Sequence, residues 1–279
     1  MNLTPLREIV RELTAKKSLG QNFILDTNLL NKIVCVAKQR DEEAFRCGTI
    51  IEVGPGPGGL TRAILEQDAH RFFAIEKDER CQFFLQEIVQ QCSDRFNLIN
   101  EDALKINYEK LGEGPRAIIS NLPYNVGTAL LLKWLEQVHL FSSFTLMFQK
   151  EVAERLVAQP KTNHYGRLSI ITQWLCEAEL VFTVPPSCFS PPPKVMSAIV
   201  FLKPRKKPLY PACKKTLESL TAMAFNQRRK MIRSSLKSIP QIEKLCELAE
   251  INVTSRAEEL SIEQFCKLAN LLDGIKNDS

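Results

Sequence analysis

Thr49-Ile50-Ile51-Glu52-Val53-Gly54-Pro55-Gly56-Pro57-Gly58-Gly59 carries a short apolar run straight into a glycine-rich turn, and Leu60-Thr61-Arg62-Ala63-Ile64-Leu65 continues it with helical spacing. Ile50, Ile51 and Val53 within residues 48–53 predict a buried strand. The glycines allow a tight turn and close approach to a ligand, because no Cβ stands in the way. The same alternation recurs along the chain. Strands are expected at 72–75, 97–100, 116–120 and 143–149, and helices at 59–67, 78–91 and 130–135. Strand–helix alternation of this kind specifies an α/β fold, a mostly parallel Rossmann-like sheet with helices on both faces. Residues 170–184 and 195–202 are candidates for added edge strands.

A glycine loop after the first strand is a cofactor signature with more than one reading. Gly54, Gly56 and Gly59 satisfy the dinucleotide fingerprint G-x-G-x-x-G, and Glu76, ending the second strand, suits ribose hydroxyls in either case. Two acids favour S-adenosylmethionine over NAD. Glu52 lies two residues before Gly54, awkward beside a diphosphate but acceptable beside a sulfonium and an amino group. Asp102 follows the third strand, where a carboxylate can accept from an adenine amino group. A methyltransferase is the reading these acids support; a dinucleotide enzyme or a merely structural turn remains open on the loop alone.

Ser120-Asn121-Leu122-Pro123-Tyr124 follows the fourth strand, at the same carboxyl edge as the acids. The lone pair of an exocyclic adenine nitrogen is delocalised into the ring. The Asn121 side-chain oxygen and the Leu122 carbonyl can hold its two N–H bonds and draw it toward tetrahedral geometry. Pro123 stiffens the loop, and Tyr124 offers a stacking face. The alternative is a strand-ending turn, which Asn and Pro favour in any case. Phe189, in Cys188-Phe189-Ser190-Pro191-Pro192-Pro193, stands on a proline-stiffened backbone and is expected to sandwich a flipped-out base against Tyr124. A hydrophobic plug is the plainer reading of that aromatic.

Charge is unevenly spread over the 279 residues. Residues 1–202 hold 22 Lys+Arg against 23 Asp+Glu, whereas 203–279 hold 15 against 9. Within 203–237 there are 11 basic residues and one acid, Glu218. Such a stretch favours a polyanionic partner, with Arg228, Arg229, Lys230 and Arg233 as the expected RNA contacts. A solvated helix face would look similar. Lys203-Pro204-Arg205-Lys206-Lys207-Pro208 marks a boundary, which divides a methyltransferase domain, 1–202, from a small helical basic domain, 203–279. Helices are expected at 212–237, 240–250 and 261–273, the last opened by a Ser261/Gln264 capping box.

The nine cysteines form no C-x-x-C pair and the three histidines show no ligand or triad spacing, so neither a disulfide framework nor a metal site is expected. No apolar run reaches the roughly 18 residues that a membrane span needs. The N-terminus mixes acids and bases and reads as a short helix with Thr4 as N-cap and Pro5 at its first position, not a targeting peptide. A reduced, cytoplasmic, monomeric protein is the expectation.

The ordered set of motifs resembles the ribosomal RNA adenine N6,N6-dimethyltransferase family over nearly the whole chain. The resemblance runs through Lys17-Ser18-Leu19-Gly20-Gln21-Asn22-Phe23-Ile24, the Asn121–Asn125 stretch, Gln149-Lys150-Glu151-Val152 and Tyr165-Gly166-Arg167-Leu168-Ser169. It continues from Phe189 to Ser197, at Ala224-Phe225-Asn226-Gln227-Arg228-Arg229-Lys230 and at Arg256-Ala257-Glu258-Glu259. It implies that residues 1–25 form a cofactor and RNA segment in which Asn22 and Ile24 contact S-adenosylmethionine, although the family more usually has leucine at position 24. Pro57-Gly58-Gly59 is also richer in glycine than the family's pattern. The resemblance further implies dimethylation of two adjacent adenines near the 3′ end of 16S rRNA, and a role in assembling the small ribosomal subunit. Rival readings are a methylase of large-subunit rRNA, an NAD-dependent oxidoreductase and a non-catalytic RNA-binding assembly factor.

Overall fold

A computed structural model of the protein describes residues 3–13, 22–92 and 94–277. Its chain divides into two compact units, Met1–Ala153 with Glu179–Pro204, and Glu154–Ala178 with Arg205–Ser279.

The first unit opens with α1 (Leu6–Glu12), β1 (Phe23–Ile24), α2 (Thr27–Arg40) and α3 (Glu42–Cys47). Then come β2 (Thr49–Val53), α4 (Gly59–Glu66), β3 (Arg71–Ile75), α5 (Glu79–Cys92) and β4 (Phe96–Ile99). β5 (Arg116–Asn121), α6 (Gly127–Glu136) and β6 (Ser143–Gln149) follow. α7 (Lys150–Val157) leads out of the unit, α8 (Arg167–Leu175) belongs to the second, and β7 (Cys176–Val184) leads back; β8 (Phe189–Ser190) and β9 (Ser197–Pro204) complete the first. The sheet order is β4-β3-β2-β5-β6-β9-β7, with β1 and β8 as a separate pair. β2 pairs in parallel with β3 and β5, β3 with β4, and β5 with β6. The order therefore reverses between β2 and β5, the switch point at which the carboxyl ends of open α/β sheets form a crevice.

Alternation along each strand sends side chains to opposite faces. Ile50, Ala117, Ile119 and Met147 join a buried cluster with Leu30, Ile33 and Val34 of α2, Ile64 of α4 and Ile88 of α5. On the other face the Trp134 ring of α6 stacks on Phe144 at 6.0 Å. Helices thus cover both faces, and β2 is buried at every position, Thr49 and Glu52 included.

Two expectations for the later strands need correction. Residues 170–175 are helical, because Ile170, Ile171, Trp174 and Leu175 are buried at helical spacing inside an apolar stretch that also contains β7. β9 is not an edge strand; it lies between β6 and β7, antiparallel to β6. The N-terminal helix begins one position late: Pro5 is its N-cap, and Thr4 instead donates its hydroxyl to Glu87 at 3.0 Å.

The second unit adds α9 (Lys214–Asn226), α10 (Ile232–Ser235), α11 (Ile242–Leu248) and α12 (Ile262–Asn277). The helix expected over 212–237 is interrupted at 227–231, where Lys230 N–H closes a turn on the Gln227 carbonyl at 2.8 Å. The capping box does form, Ser261 N–H to Gln264 Oε1 at 3.0 Å and Gln264 N–H to Ser261 Oγ at 3.2 Å. Residues 154–178 cluster here, the last three of them already in β7, so a single boundary at 202/203 misses one segment. The cause is contact chemistry. Tyr165 meets Phe225 edge-on at 6.3 Å, and Trp174 Nε1 donates to the Tyr210 carbonyl at 2.7 Å.

Candidate active site

Val53 ends β2, and Gly54, Gly56 and Gly58 then take φ values of +70°, +55° and +84°. Left-handed backbone of this kind is costly for any residue with a Cβ. At Gly56 the objection is doubled, since a Cβ would stand 2.9 Å from Cε1 of Phe23. The turn is pinned to the neighbouring strand by Gly54 N–H, which donates to the Ile75 carbonyl at 2.9 Å. Around it lies a cleft lined by Asn22, Ile24, Glu52, Gly54, Gly56, Glu76, Asn121, Leu122, Pro123 and Tyr124, together with Phe23, Leu30 and Lys77. Residues spread over a hundred positions are brought together because each sits at the carboxyl end of a parallel strand or in the segment packed across those ends.

The acids behave differently from one another. Glu52 is 1% exposed, and Thr61 Oγ1 donates to its Oε2 at 2.7 Å. Burial pushes its carboxyl up to about 8, the Thr61 bond opposes this, and the nearby Glu76 charge adds to it. Glu76 accepts from the backbone N–H of Asp78 at 2.8 Å and of Gly56 at 3.0 Å. Its pKa is also raised by burial, with those bonds acting in the opposite sense. Asp102 does not line this cleft. It lines an adjoining one with Ala103, Leu104, Val126 and Leu130, and the two share Gly54, Glu76, Lys77 and Pro123. The Leu104 N–H, donating at 3.0 Å, and Lys77, 3.6 Å away, hold the Asp102 carboxyl below the usual range.

The Asn121–Tyr124 loop is held at both ends. Ser120 Oγ donates to the Val53 carbonyl at 2.5 Å, and Asn121 Nδ2 donates to the Asn22 carbonyl at 3.1 Å. With its nitrogen so engaged, the Asn121 amide keeps Oδ1 as an acceptor. The Pro123 carbonyl accepts from the N–H groups of Val126 and Gly127, and the Tyr124 hydroxyl lies 2.6 Å from Ser197 Oγ. Phe189 sits elsewhere. It is 5% exposed, pairs across β8 and β1 with Ile24, and packs in the cluster that includes Met147, Val184 and Ile199. In this structure it backs Ile24 and does not line the cleft opposite Tyr124.

In the second unit Arg228 differs from its neighbours. Its Nε meets Glu258 Oε2 at 2.6 Å and its Nη2 donates to the Asn163 carbonyl at 2.6 Å. Arg229, Lys230 and Arg233 are exposed and make no ion pair among the described residues. Lys17 to Gln21 of the N-terminal motif lie outside the described residues. Thr61 and Ser197, which grip Glu52 and Tyr124, went unread in the sequence. Thr61 lies nine residues from its partner and Ser197 seventy-three, and neither spacing carries a signal. Among the described residues no three His, Cys, Asp or Glu side chains are grouped to hold a metal, and no helix is long and apolar enough to cross a membrane.

The family profile described as ribosomal RNA adenine dimethylase matches residues 12–274. The chain is 51% identical over 273 residues to the ribosomal RNA small subunit methyltransferase A of Rhodospirillum rubrum, which covers 97% of this chain and 93% of that protein. It is 49% identical over 274 residues to the protein of the same name from Paramagnetospirillum magneticum, covering 98% and 96%. Among solved structures, a dimethyladenosine transferase from Plasmodium falciparum superposes with a TM-score of 0.75 at 25% identity, over 92% of this chain and 98% of that one. The 23S rRNA methyltransferase ErmE gives 0.68 at 27% identity, over 90% of this chain and 100% of that one. The fold is thus the class I methyltransferase sheet with a helical C-terminal part, and the dinucleotide reading of the glycine loop falls away. The chain belongs to the ribosomal RNA adenine dimethylase family.

Proposed function

We propose that this protein transfers methyl groups from S-adenosylmethionine to N6 of two adjacent adenines near the 3′ end of 16S rRNA, acting as a cytoplasmic monomer during small-subunit assembly. The observation that carries the reading is the Asn121 amide, whose nitrogen is committed to the Asn22 carbonyl and whose oxygen remains to accept. An exocyclic amine needs an acceptor at that place. Asn121 Oδ1 and the Leu122 carbonyl take its two N–H bonds, draw the nitrogen toward tetrahedral geometry and turn its lone pair into the cleft. The Tyr124 ring stacks on the base, an interaction worth about 1–3 kcal/mol in single-strand binders. Positioning of this kind supplies most of the rate, and no strong general base is needed.

The residues of the cleft fit the methyl donor. S-adenosylmethionine supplies an electrophilic methyl group on a cationic sulfur. Glu52, buried with the Thr61 hydroxyl as its hydrogen-bond donor, gains most from a cation placed beside it. Glu76 keeps acceptor capacity for ribose hydroxyls, Asp102 accepts from an adenine amine in the adjoining cleft, and Asn22, Ile24, Gly54 and Gly56 form the walls. Phe189 supports the rim through Ile24. The basic residues of the second unit, Arg229, Lys230 and Arg233, bind RNA phosphate. A target in small-subunit RNA is favoured over the large subunit because the relatives named for the small subunit share about half of this sequence, against 27% for ErmE.

Labelled S-adenosylmethionine incubated with small subunits lacking the modification tests this reading, with the labelled base then mapped. Label in adjacent adenines near the 3′ end is the expected result. Label in guanine, cytosine or large-subunit rRNA would overturn it.

A further inference from the structure

Ser197 is the first residue of β9, and its side chain is fully buried. Its register partner is Gln149, the last residue of β6. An antiparallel strand thus delivers its first residue to the edge where the parallel strands deliver their last, on the far side of β6 from Asn121. There Ser197 Oγ meets the Tyr124 hydroxyl at 2.6 Å and, among the described residues, has no other hydrogen-bond partner. The backbone end of Tyr124 is fixed separately, by the turn in which the Pro123 carbonyl accepts from Val126 and Gly127. The phenol is half-buried and burial raises its pKa, so it stays a neutral hydroxyl able to share that bond.

The hydroxyl bond fixes where the far end of the ring sits, and because a phenol O–H prefers to lie in the ring plane, it also biases the ring's rotation toward Ser197. Released at the hydroxyl, the ring turns about its side-chain bonds and a base stacked on it turns too, which spoils a reaction that depends on aiming one nitrogen. We propose that Ser197 is a positioning residue for methyl transfer, holding the Tyr124 ring in the plane against which the target base stacks. This rests on the reading of Tyr124 as the stacking face.

The test measures single-turnover methyl transfer from labelled S-adenosylmethionine to small subunits lacking the modification, with cofactor affinity measured alongside. Wild type is compared with Ser197→Ala, Tyr124→Phe, the Ser197→Ala/Tyr124→Phe double variant and Tyr124→Ala. Ser197→Ala and Tyr124→Phe are each expected to slow transfer about tenfold, the worth of one well-placed hydrogen bond. Cofactor affinity should not change, and the double variant should be no slower than either single one, because both remove the same bond. Losses that multiply in the double variant would overturn the proposal, since a purely structural serine acts independently of the tyrosine hydroxyl. Wild-type rates in Ser197→Ala and Tyr124→Phe beside a slow Tyr124→Ala would overturn the tether and leave the stacking role standing. A wild-type rate in Tyr124→Ala would overturn the stacking role and the proposal with it. Should Ser197→Ala not fold, Tyr124→Phe decides alone, a wild-type rate counting against the tether.

Discussion

Asn121 Nδ2 donates to the main-chain carbonyl of Asn22 at 3.1 Å, joining residues 99 positions apart. The acceptor is backbone, so the Asn22 side chain is not what orients the amide. The orientation depends on where the segment at residue 22 lies across the ends of the strands.

Asn121→Ala removes the oriented acceptor, and methyl transfer should fall about 10²–10³-fold or more, the range seen when one placed hydrogen-bonding group is lost from a catalytic site. S-adenosylmethionine affinity should fall much less. Single-turnover transfer and equilibrium dialysis measure the two quantities, and an equal loss in both would show that Asn121 serves the cofactor alone.

Glu52 gives a pH dependence with a defined sign. Its folded-state pKa of about 8 stands above the ordinary 4.5, so between those values the folded protein keeps a proton that the unfolded chain has released. Stability should therefore fall as pH rises through that window, by up to about 1.4 kcal/mol per pH unit from this group. Glu52→Gln should flatten the slope in urea titrations. Binding of a cationic ligand favours the carboxylate, so titration calorimetry of the wild type near pH 7 should detect proton release, absent in Glu52→Gln. A wild-type slope in Glu52→Gln would exclude this carboxyl as its origin.

Gly56→Ala places a Cβ at φ +55° and 2.9 Å from the Phe23 ring. Left-handed backbone alone costs roughly 1–2 kcal/mol, and the clash adds to it. A lower Tm and weaker S-adenosylmethionine binding are expected together; an unaltered Tm would mean that the turn yields more easily than its geometry implies.

Arg228 and its neighbours should separate in RNA binding. Arg229→Ala with Lys230→Ala should weaken binding and reduce the salt slope by about 0.7–0.9 for each phosphate no longer neutralised. Arg228→Ala should lower the stability of the second unit, because the guanidinium ties Glu258 to the Asn163 carbonyl, while the slope holds. Filter binding across a salt series distinguishes them, and a slope reduced equally by Arg228→Ala would make that residue a phosphate ligand after all.

Much of this molecule is legible in its sequence where the signal is local. The Gly54–Gly59 turn and the Ser261/Gln264 cap depend on neighbours within a few residues, and each forms as read; Glu52 and Glu76 line the cleft, whereas Asp102 lines the adjoining one. What escaped depends on distant partners. Which partner the Arg228 guanidinium takes is decided by Glu258, and whether Phe189 faces the cleft is decided by β1, a pairing across 165 residues. The apolar stretch around 170–184 misled for another reason: short apolar runs carry no unique period, and a helix and a strand share this one.

The place of β9 also sets an order of events during synthesis. β7 leaves the ribosome first, yet it is the outermost strand, separated from β6 by β9. Until residues 197–204 emerge, β7 has no neighbour in the sheet, and the partner that walls the cleft behind Ile24 arrives only with Phe189. A nascent chain that already carries every glycine and acid of the cleft therefore still lacks one flank of its sheet, and late-arriving strands of this kind are the segments most exposed to misassembly.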